Sequence, residues 1–169
     1  KRSAPSIGMN FGLAHPTNTT VILGIDTSID RCAVALLLDQ EVVIEKSEFM
    51  QRGQAEHLLP SIEKVLKQTH KSLNSITAIG VGVGPRNFTG IRIGISAAKG
   101  LGMGLKRKVF GITRFETLVD SDDPTLSLIK VGKDSFYSQF FFNQKPAHPP
   151  IEETLQEILN KEYPKDTVV

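Results

Sequence analysis

The first half of the chain alternates between apolar strands and a helix-spaced segment. TVILGIDTS, from Thr20, predicts a buried strand that ends in polar residues. CAVALLLDQEVVIEKSEF contains two apolar runs around Asp39-Gln40, which predicts a β-hairpin. Residues 54–70 then predict an amphipathic helix with Pro60 in its first turn, because apolar side chains recur at helical spacing at Leu58, Leu59, Ile62, Val65 and Leu66.

The pattern continues with a buried strand, a helix and a short strand. SITAIGVGVG predicts the strand, residues 89–105 the helix, and VFGIT the next strand. The resulting order β-β-β-α-β-α-β begins with three antiparallel strands, so it differs from the doubly wound nucleotide-binding order. It is the order of the actin and sugar-kinase type of domain. The sequence therefore predicts an α/β fold, an actin-like ATPase (RNase H-like) domain with a mixed five-stranded sheet and flanking helices.

The last third of the chain predicts a second domain of the same type that is incomplete. LSLIKVG and the aromatic SFYSQFFF predict two strands, and NQKPAHPP is a proline-rich break. IEETLQEILNK predicts an amphipathic helix, and the final KEYPKDTVV resembles the entry to a further strand. We therefore expect a disordered extension or tag over residues 1–19, a first domain over 20–118 and a second over 125–169.

Composition is that of an ordinary soluble globular protein. Of the 169 residues, 40% are hydrophobic and 22% are charged, and the formal net charge of +2 does not indicate nucleic-acid binding by itself. No run reaches the ~20 apolar residues of a membrane helix, and the basic N-terminus lacks the apolar segment of a signal peptide. The single cysteine, Cys32, favours a buried thiol and a cytoplasmic location. The basic run Lys106-Arg107-Lys108 is explained better by the dipole at a helix end than by phosphate contact.

Glycines are concentrated in GVGVGPRNFTGIRIGISAAKGLGMGL, from Gly80 to Leu105, yet they fit no nucleotide motif. The P-loop spacing fails from both Gly84 and Gly90, and the dinucleotide fingerprint fails from Gly82. The loop GPRNFTG, which contains Arg86, keeps a weak alternative as an anion site at a helix start.

The strand-end turn Asp26-Thr27-Ser28 has two interpretations. It is an ordinary Asx turn, or, with Arg86, a vestigial nucleotide site of the actin-like fold. The first is favoured, because no glycine follows Asp26 to admit a phosphate. Neither a metal-ligand pattern nor a catalytic constellation is found in the sequence, so we expect no catalytic residue, no metal and no cofactor beyond a weak or vestigial ATP–Mg²⁺ contact.

One side of the second helix carries only small residues. They recur every fourth position, with Ala97 beside them, and two helix backbones can approach closely along such a ridge. Packing within the domain and packing against another protein are both consistent with this pattern. The ridge consists of Gly90, Gly94, Ala98 and Gly102.

The segment GPRNFTGIRIGISAAKGL resembles the signature G-P-G-S-F-T-G-[LVI]-R-[IV]-G of the bacterial TsaB family, also called YeaZ. ILGIDTSIDRCAVALL, EHLLPSIEKVL and FGITRFETL are similar to further family segments, in the family's order. The similarity covers about residues 21–142. Arg86 and Asn87 stand where the family has Gly-Ser.

This resemblance implies a non-catalytic subunit of the enzyme system that makes threonylcarbamoyladenosine (t6A) at adenosine 37 of tRNA. It implies helix–helix association with the homologous catalytic subunit TsaD, indirect association with the ATPase TsaE, and a homodimer when the protein is alone. Contact with tRNA is either indirect or left open by the resemblance, and no membrane is involved. The alternative is an actin-like ATP-dependent kinase that binds nucleotide at Asp26 and the Gly84–Gly90 loop. The interface is expected on the first two helices, at Leu58, Leu59, Ile62, Gly90, Gly94, Ala97, Ala98 and Gly102.

Overall fold

The computed structural model describes residues 19–169, so the expectation of a disordered extension or tag over 1–19 falls almost entirely outside the described residues. The described chain divides into two compact units, which we call unit 1, ending at Thr113, and unit 2, Arg114–Val169. The expected domain bounds of 20–118 and 125–169 stay a prediction about which parts fold separately.

Unit 1 is built on a five-stranded mixed sheet. Its strands are β1 (Val21–Asp26), β2 (Arg31–Leu38), β3 (Glu41–Phe49), β4 (Ala78–Gly82) and β5 (Lys108–Ile112), in the spatial order β3-β2-β1-β4-β5. The first three are antiparallel neighbours, while β4 and β5 run parallel to β1. The predicted α/β class and the mixed five-stranded sheet of an actin-like domain are confirmed.

The hairpin between β2 and β3 turns at the two residues that the sequence indicated. Asp39 and Gln40 both have positive φ, 49° and 75°. A two-residue hairpin turn of this type matches the right-handed twist of the strands that it joins. The carboxylate of Asp39 also accepts a hydrogen bond from the backbone N–H of Thr20, at 2.8 Å.

Two helices connect the strands of unit 1. Helix α1 (Gln54–Gln68) joins β3 to β4, and helix α2 (Phe88–Leu105) joins β4 to β5. Both crossovers move in the same direction across the sheet, so the right-handed rule places the two helices on one face, where they contact each other. The core between helices and sheet is apolar, and its α1 members are Leu58, Ile62, Val65 and Leu66.

Pro60 lies in the second turn of α1, whereas the sequence pattern predicts it in the first. A proline there cannot donate the hydrogen bond to the carbonyl of Glu56, which normally costs about 3 kcal/mol. The helix continues because its apolar face is buried on both sides of the proline, at Leu58 and Ile62.

Unit 2 contains a second, antiparallel sheet. Strands β6 (Thr125–Lys130) and β7 (Ser135–Phe142) pair with each other, and two short strands, β8 (Lys145–Pro146) and β9 (Ile151–Thr154), follow one another along the other side of β7. Helix α3 (Leu155–Leu159) comes next, and Val168 forms a parallel bridge with Thr125. A small core consists of Phe115, Val119, Ile129 and Phe141.

The helix predicted over IEETLQEILNK is wrong in its first part. Ile151–Thr154 forms β9, and only Leu155–Leu159 is helical. Pairing with Ser135–Ser138 of β7 overrides the helix propensity of the two glutamates. Thr154 then caps α3 in a capping box with Glu157.

Candidate functional site

The strand-end turn after β1 is held by hydrogen bonds within the chain. The Asp26 carboxylate accepts from the backbone N–H of Ser28 at 2.8 Å, which is the Asx turn that the sequence favoured. The Thr27 hydroxyl is buried and donates to the carbonyl oxygen of Gly90 in the first turn of α2, at 2.6 Å. Both polar side chains therefore already have partners.

The loop after β4 lies directly against this turn, since β1 and β4 are parallel neighbours. The backbone N–H of Asn87 donates to the carbonyl of Ser28 at 2.8 Å. Asn87 also caps α2, because its side-chain oxygen accepts from the N–H of Gly90 at 3.0 Å. Asparagine and serine are about equally good at this position, so the replacement of the family's Ser by Asn preserves the cap.

The vestigial nucleotide site stays a prediction: of its four residues, Asp26, Thr27 and Ser28 lie in the turn and Arg86 lies in the facing loop. Arg86 is exposed beside Asn87. The Ser28 hydroxyl is fully buried, with no hydrogen-bond partner among the described residues. An unpaired buried hydroxyl costs about 1–3 kcal/mol. No group of three or more His, Cys, Asp or Glu side chains in residues 19–169 is arranged to hold a metal ion.

The ridge of small residues on α2 faces the sheet of unit 1. All four of its members are buried. A Cβ added at Gly90 would overlap the carbonyl oxygen of Thr27, one at Gly94 would lie 2.7 Å from the Thr27 hydroxyl, and one at Gly102 would overlap the Val109 side chain. We call Gly90, Gly94, Ala98 and Gly102 the inner face of α2. The expectation that these residues contact another protein is corrected, because the sheet already covers them.

The same correction applies to two residues of α1. Leu58 and Ile62 are 1% and 2% exposed in the core of unit 1, whereas Leu59 is 52% exposed. On α2, Ala97 is half-buried between the two faces. Of the predicted interface residues, therefore, Leu59 and Ala97 remain accessible.

The opposite side of α2 was not identified from the sequence. We call it the outer face, and its exposed residues include Arg92, Ser96, Lys99, Gly100, Met103 and Gly104. A Cβ added at Gly100 or Gly104 would have nothing within 4 Å. Met103 is 80% exposed. At the start of the helix the Arg92 guanidinium lies 4.1 Å from the centre of the Phe88 ring, in a cation–π contact.

The spacing of the glycines in the sequence gives part of the evidence for the outer face. Gly100 and Gly104 are four apart and fall outside the series that begins at Gly90. They are glycines inside a helix that no contact within unit 1 requires.

No helix in residues 19–169 is both long enough and apolar enough to cross a membrane.

Comparison with known proteins places the chain in a family. Residues 41–144, more than half of the chain, match the family model described as TsaD, tRNA N6-adenosine threonylcarbamoyltransferase. Among curated proteins, it is 39% identical over 98 residues to the tRNA threonylcarbamoyladenosine biosynthesis protein TsaB of Buchnera aphidicola subsp. Schizaphis graminum, covering 58% of this chain and 46% of that protein. It is 37% identical over 97 residues to TsaB of Escherichia coli K12, covering 57% and 42%. The chain thus spans less than half the length of these relatives.

Solved structures agree with the sequence matches. The fold is similar to YeaZ from Pseudomonas aeruginosa, with a TM-score of 0.68 and 26% identity over 80% of this chain and 68% of that one. A protein described as similar to peptidase YeaZ from Pseudomonas aeruginosa gives a TM-score of 0.69 and 26% identity, covering 87% and 71%. The chain therefore belongs to the family that the matching model describes, and within it to the TsaB/YeaZ proteins.

Proposed function

We propose that this protein is a non-catalytic subunit in the synthesis of threonylcarbamoyladenosine on tRNA, and that it associates with the catalytic TsaD subunit through the outer face of α2. The names of the curated TsaB relatives support the pathway. The outer-face glycines support the mode of association.

Glycine in a helix interior costs about 1 kcal/mol relative to alanine. On the inner face this cost is offset by close contact with the sheet, as at Gly94 beside the Thr27 hydroxyl. On the outer face Gly100 and Gly104 have open space around them. A second helix that packs over this smooth surface gives the glycines a role, because small side chains let helix backbones approach closely.

Two exposed apolar side chains are included in the proposed contact surface. Met103 offers a flexible, exposed thioether of the kind enriched at protein interfaces. Leu59 is exposed on the adjacent helix α1. The proposed contact surface thus comprises Leu59, Ala97, Gly100, Met103 and Gly104.

The strand-end turn supports a non-catalytic role. In the kinase alternative, Asp26 and its neighbours would bind phosphate and metal, but here the Asp26 carboxylate and the Thr27 hydroxyl are used within the chain. Gly90 is pressed against the Thr27 carbonyl, which leaves no gap between the turn and the start of α2. The two interpretations separate in a titration with Mg-ATP: micromolar binding that Asp26→Ala abolishes would favour the kinase.

The outer face of α2 also accounts for the other expected associations of the protein. Without TsaD, two copies of the chain associate through it as a homodimer, and TsaE joins only the assembled complex. The protein acts in the cytoplasm.

The decisive experiment adds a bulky side chain to the outer face. Gly100→Phe is expected to weaken association with purified TsaD at least tenfold, because the phenyl group stands where the second helix would lie. Isothermal titration calorimetry measures the affinity. The t6A content of tRNA, measured in cells that depend on this protein, should fall in parallel.

Gln156→Phe is the matched control, since it places the same side chain on an exposed helix position of unit 2. It should bind TsaD like the wild type. Slow alkylation of the buried Cys32 thiol verifies that the Gly100→Phe variant is folded. A folded variant that binds TsaD and supports t6A synthesis normally would refute the proposed interface.

A further inference from the structure

Positive charge is segregated along this chain. From Lys64 to Phe115 there is no Asp or Glu, yet this span contains ten of the chain's 20 Lys and Arg residues. All 18 acidic residues therefore lie elsewhere, and the net charge of +2 conceals a basic span and an acidic remainder. The basic span includes the end of α1, β4, α2 and β5.

The fold collects much of this charge at one edge of unit 1. Ala78, which begins β4, pairs in register with Lys108, which begins β5. Helix α1 leads to β4 and helix α2 leads to β5, so the C-terminal ends of both helices lie at the edge where these parallel strands begin. We call this the basic edge, and its cations are Lys67, Lys71, Lys99, Lys106, Arg107 and Lys108.

Four of these cations surround one shallow cavity of about 430 Å³. Its lining consists of Lys99, Gly102, Met103, Lys106, Arg107, Lys108 and Val109, with no acidic side chain. One ion pair is found within residues 19–169, between Lys161 and Glu153. None of the basic-edge cations is therefore paired with a carboxylate of the described residues.

Helix dipoles account for only a small part of this charge. Each helix C-terminus carries the equivalent of about half a negative charge, so two helices offset about one of the six cations. At α2 two carbonyls of the last turn, those of Gly102 and Met103, already accept hydrogen bonds from the backbone N–H groups of Lys106 and Arg107. The capping explanation of the sequence analysis therefore leaves most of the charge unexplained.

Acidic residues of the same edge are too distant to compensate. Asp39 and Glu41 lie in the β2–β3 hairpin, three and four strand positions from β5. At a spacing of ~4.8 Å between strands, these separations are about 14 and 19 Å. Both exceed the Debye length of about 8 Å at physiological ionic strength.

We propose that the basic edge binds the phosphate backbone of tRNA, an inference that rests on the proposed function for the choice of RNA. Five of the six cations are exposed and Lys71 is half-buried. They are spread out, since Lys99 and Lys106 are seven residues apart, or ~10 Å along α2. A single phosphate group supplies at most about two charges at one point. Several successive phosphates of a nucleic-acid backbone match the spacing of these cations better than one phosphate group does.

Side-chain composition favours nucleic acid over an acidic protein. Five of the six cations are lysines, and lysine is depleted at protein–protein interfaces, where arginine and aromatic residues are enriched. Neutralisation of phosphates by lysine and arginine is, by contrast, the main source of sequence-independent nucleic-acid affinity. The half-buried Lys71 and the exposed Lys106, Arg107 and Lys108 are placed to bind phosphates in this way.

The test measures binding of the 169-residue chain to a fluorescently labelled, unmodified tRNA transcript by fluorescence anisotropy. The KCl concentration is varied from about 50 to about 200 mM, over which an affinity that depends on phosphate contacts falls steeply. The variant carries Lys106→Gln, Arg107→Gln and Lys108→Gln. It should bind about tenfold more weakly at the lowest salt. The slope of log K against log salt should become shallower by about two to three, because up to three fewer phosphates are neutralised.

A second triple variant is the control. Lys130→Gln, Lys133→Gln and Lys145→Gln remove three exposed cations from unit 2 and change the net charge equally. The tRNA affinity of this variant should stay within about twofold of that of the wild type. The loss of even one phosphate contact would be expected to reduce the affinity by more than this. Equal losses of affinity in both variants, or no loss in the basic-edge variant, would overturn the proposal.

Association with TsaD separates this inference from the proposed function. The basic-edge variant keeps Gly100, Met103 and Gly104, so it should still bind TsaD. If the wild type does not bind TsaD but binds tRNA in a manner that needs the basic edge, the proposed function fails and the RNA surface stands. If the basic-edge variant loses TsaD and keeps tRNA, the edge contacts an acidic protein surface and the inference is wrong.

Discussion

Unit 1 and unit 2 follow the same chain path but are stabilised differently. Each begins with three antiparallel strand positions, continues into a helix, and then returns parallel to its first strand, at β4 beside β1 in unit 1 and at Val168 beside Thr125 in unit 2. In unit 2 the third position is divided between β8 and β9, which lie along the same side of β7.

The helix that follows the third strand makes the difference. In unit 1, α1 has 15 residues and contributes four buried apolar side chains to a core of 14 buried residues among those described. In unit 2, α3 has five residues and buries only Ile158. A polar cluster takes part of its place: the buried Glu153 carboxylate accepts hydrogen bonds from the Ser138 hydroxyl and the Lys161 ammonium. The same strand order can therefore be stabilised by close apolar packing, as in unit 1, or partly by hydrogen bonds to a buried carboxylate, as in unit 2.

The chain offers a separate probe for each unit. Its single cysteine, Cys32, is buried in unit 1, where burial and the charge of Glu48 raise the pKa of the thiol. Its two tyrosines, Tyr137 and Tyr163, are both in unit 2, and it contains no tryptophan. Alkylation of Cys32 therefore reports opening of unit 1, and tyrosine emission reports unit 2.

The largest effect is expected from Gly90→Ala in unit 1. The new methyl group would overlap the Thr27 carbonyl oxygen and displace the first turn of α2 from the hydrogen bond with the Thr27 hydroxyl. Overpacking against backbone costs about 1–3 kcal/mol, and the broken hydrogen bond adds about 1 kcal/mol. Alkylation of Cys32 should accelerate by about one hundredfold or more, which corresponds to about 3 kcal/mol at about 1.4 kcal/mol per tenfold.

Tyrosine emission of the Gly90→Ala variant should keep its wild-type unfolding midpoint in urea. That result would show that the two units unfold separately, as the predicted domain division requires. If both probes shift together, the units unfold as one cooperative body and the contrast between them does not extend to stability.

A smaller effect is expected in unit 2 on acidification. Burial opposes ionisation of Glu153, but hydrogen bonds from Lys161 and Ser138 outweigh it and hold the pKa of this carboxyl below its usual value of 4.5. A lowered folded-state pKa stabilises the fold above the unfolded pKa, and this contribution disappears as the pH falls through the folded value. The urea midpoint from tyrosine emission should therefore decrease progressively below about pH 4.5.

Glu153→Gln is the matched control for this prediction. It retains a side chain of the same shape and removes the titrating carboxyl, so unit 2 should be weaker at neutral pH and its midpoint should depend less on pH in the acid range. An acid dependence as steep as that of the wild type would assign the effect to other carboxyls.

The helices and strands of unit 1 were predictable because their periodicity is strong. The faces of α2 were not. Isoleucines and leucines surround this helix, as at Ile91, Ile93 and Ile95, and a glycine gives no sign of the side on which its neighbours lie. The series Gly90, Gly94, Ala98 and Gly102 was recognised, but only the close approach to Thr27 and Val109 assigns it to the sheet.

Unit 2 was less predictable for a different reason. The segment that forms β9 contains Glu152 and Glu153, which favour a helix locally, and its pairing with β7 depends on residues 13 to 19 positions earlier. The basic edge does not form a sequence motif, because its cations are separated along the chain. They come from the ends of α1 and α2 and from the start of β5, and they share one edge only because β4 and β5 begin in register, at Ala78 and Lys108.

The smallest expected effect has the opposite sign and comes from Gly100→Ala, the same chemical change as Gly90→Ala on the other face of the same helix. Nothing lies within 4 Å of the new methyl group, so the variant gains the helix propensity of alanine without a clash. Unit 1 should be stabilised by about 0.5–1 kcal/mol, and alkylation of Cys32 should slow about two- to fivefold. A loss of stability instead would mean that the outer face is covered within the chain, which would remove the structural basis of the proposed interface.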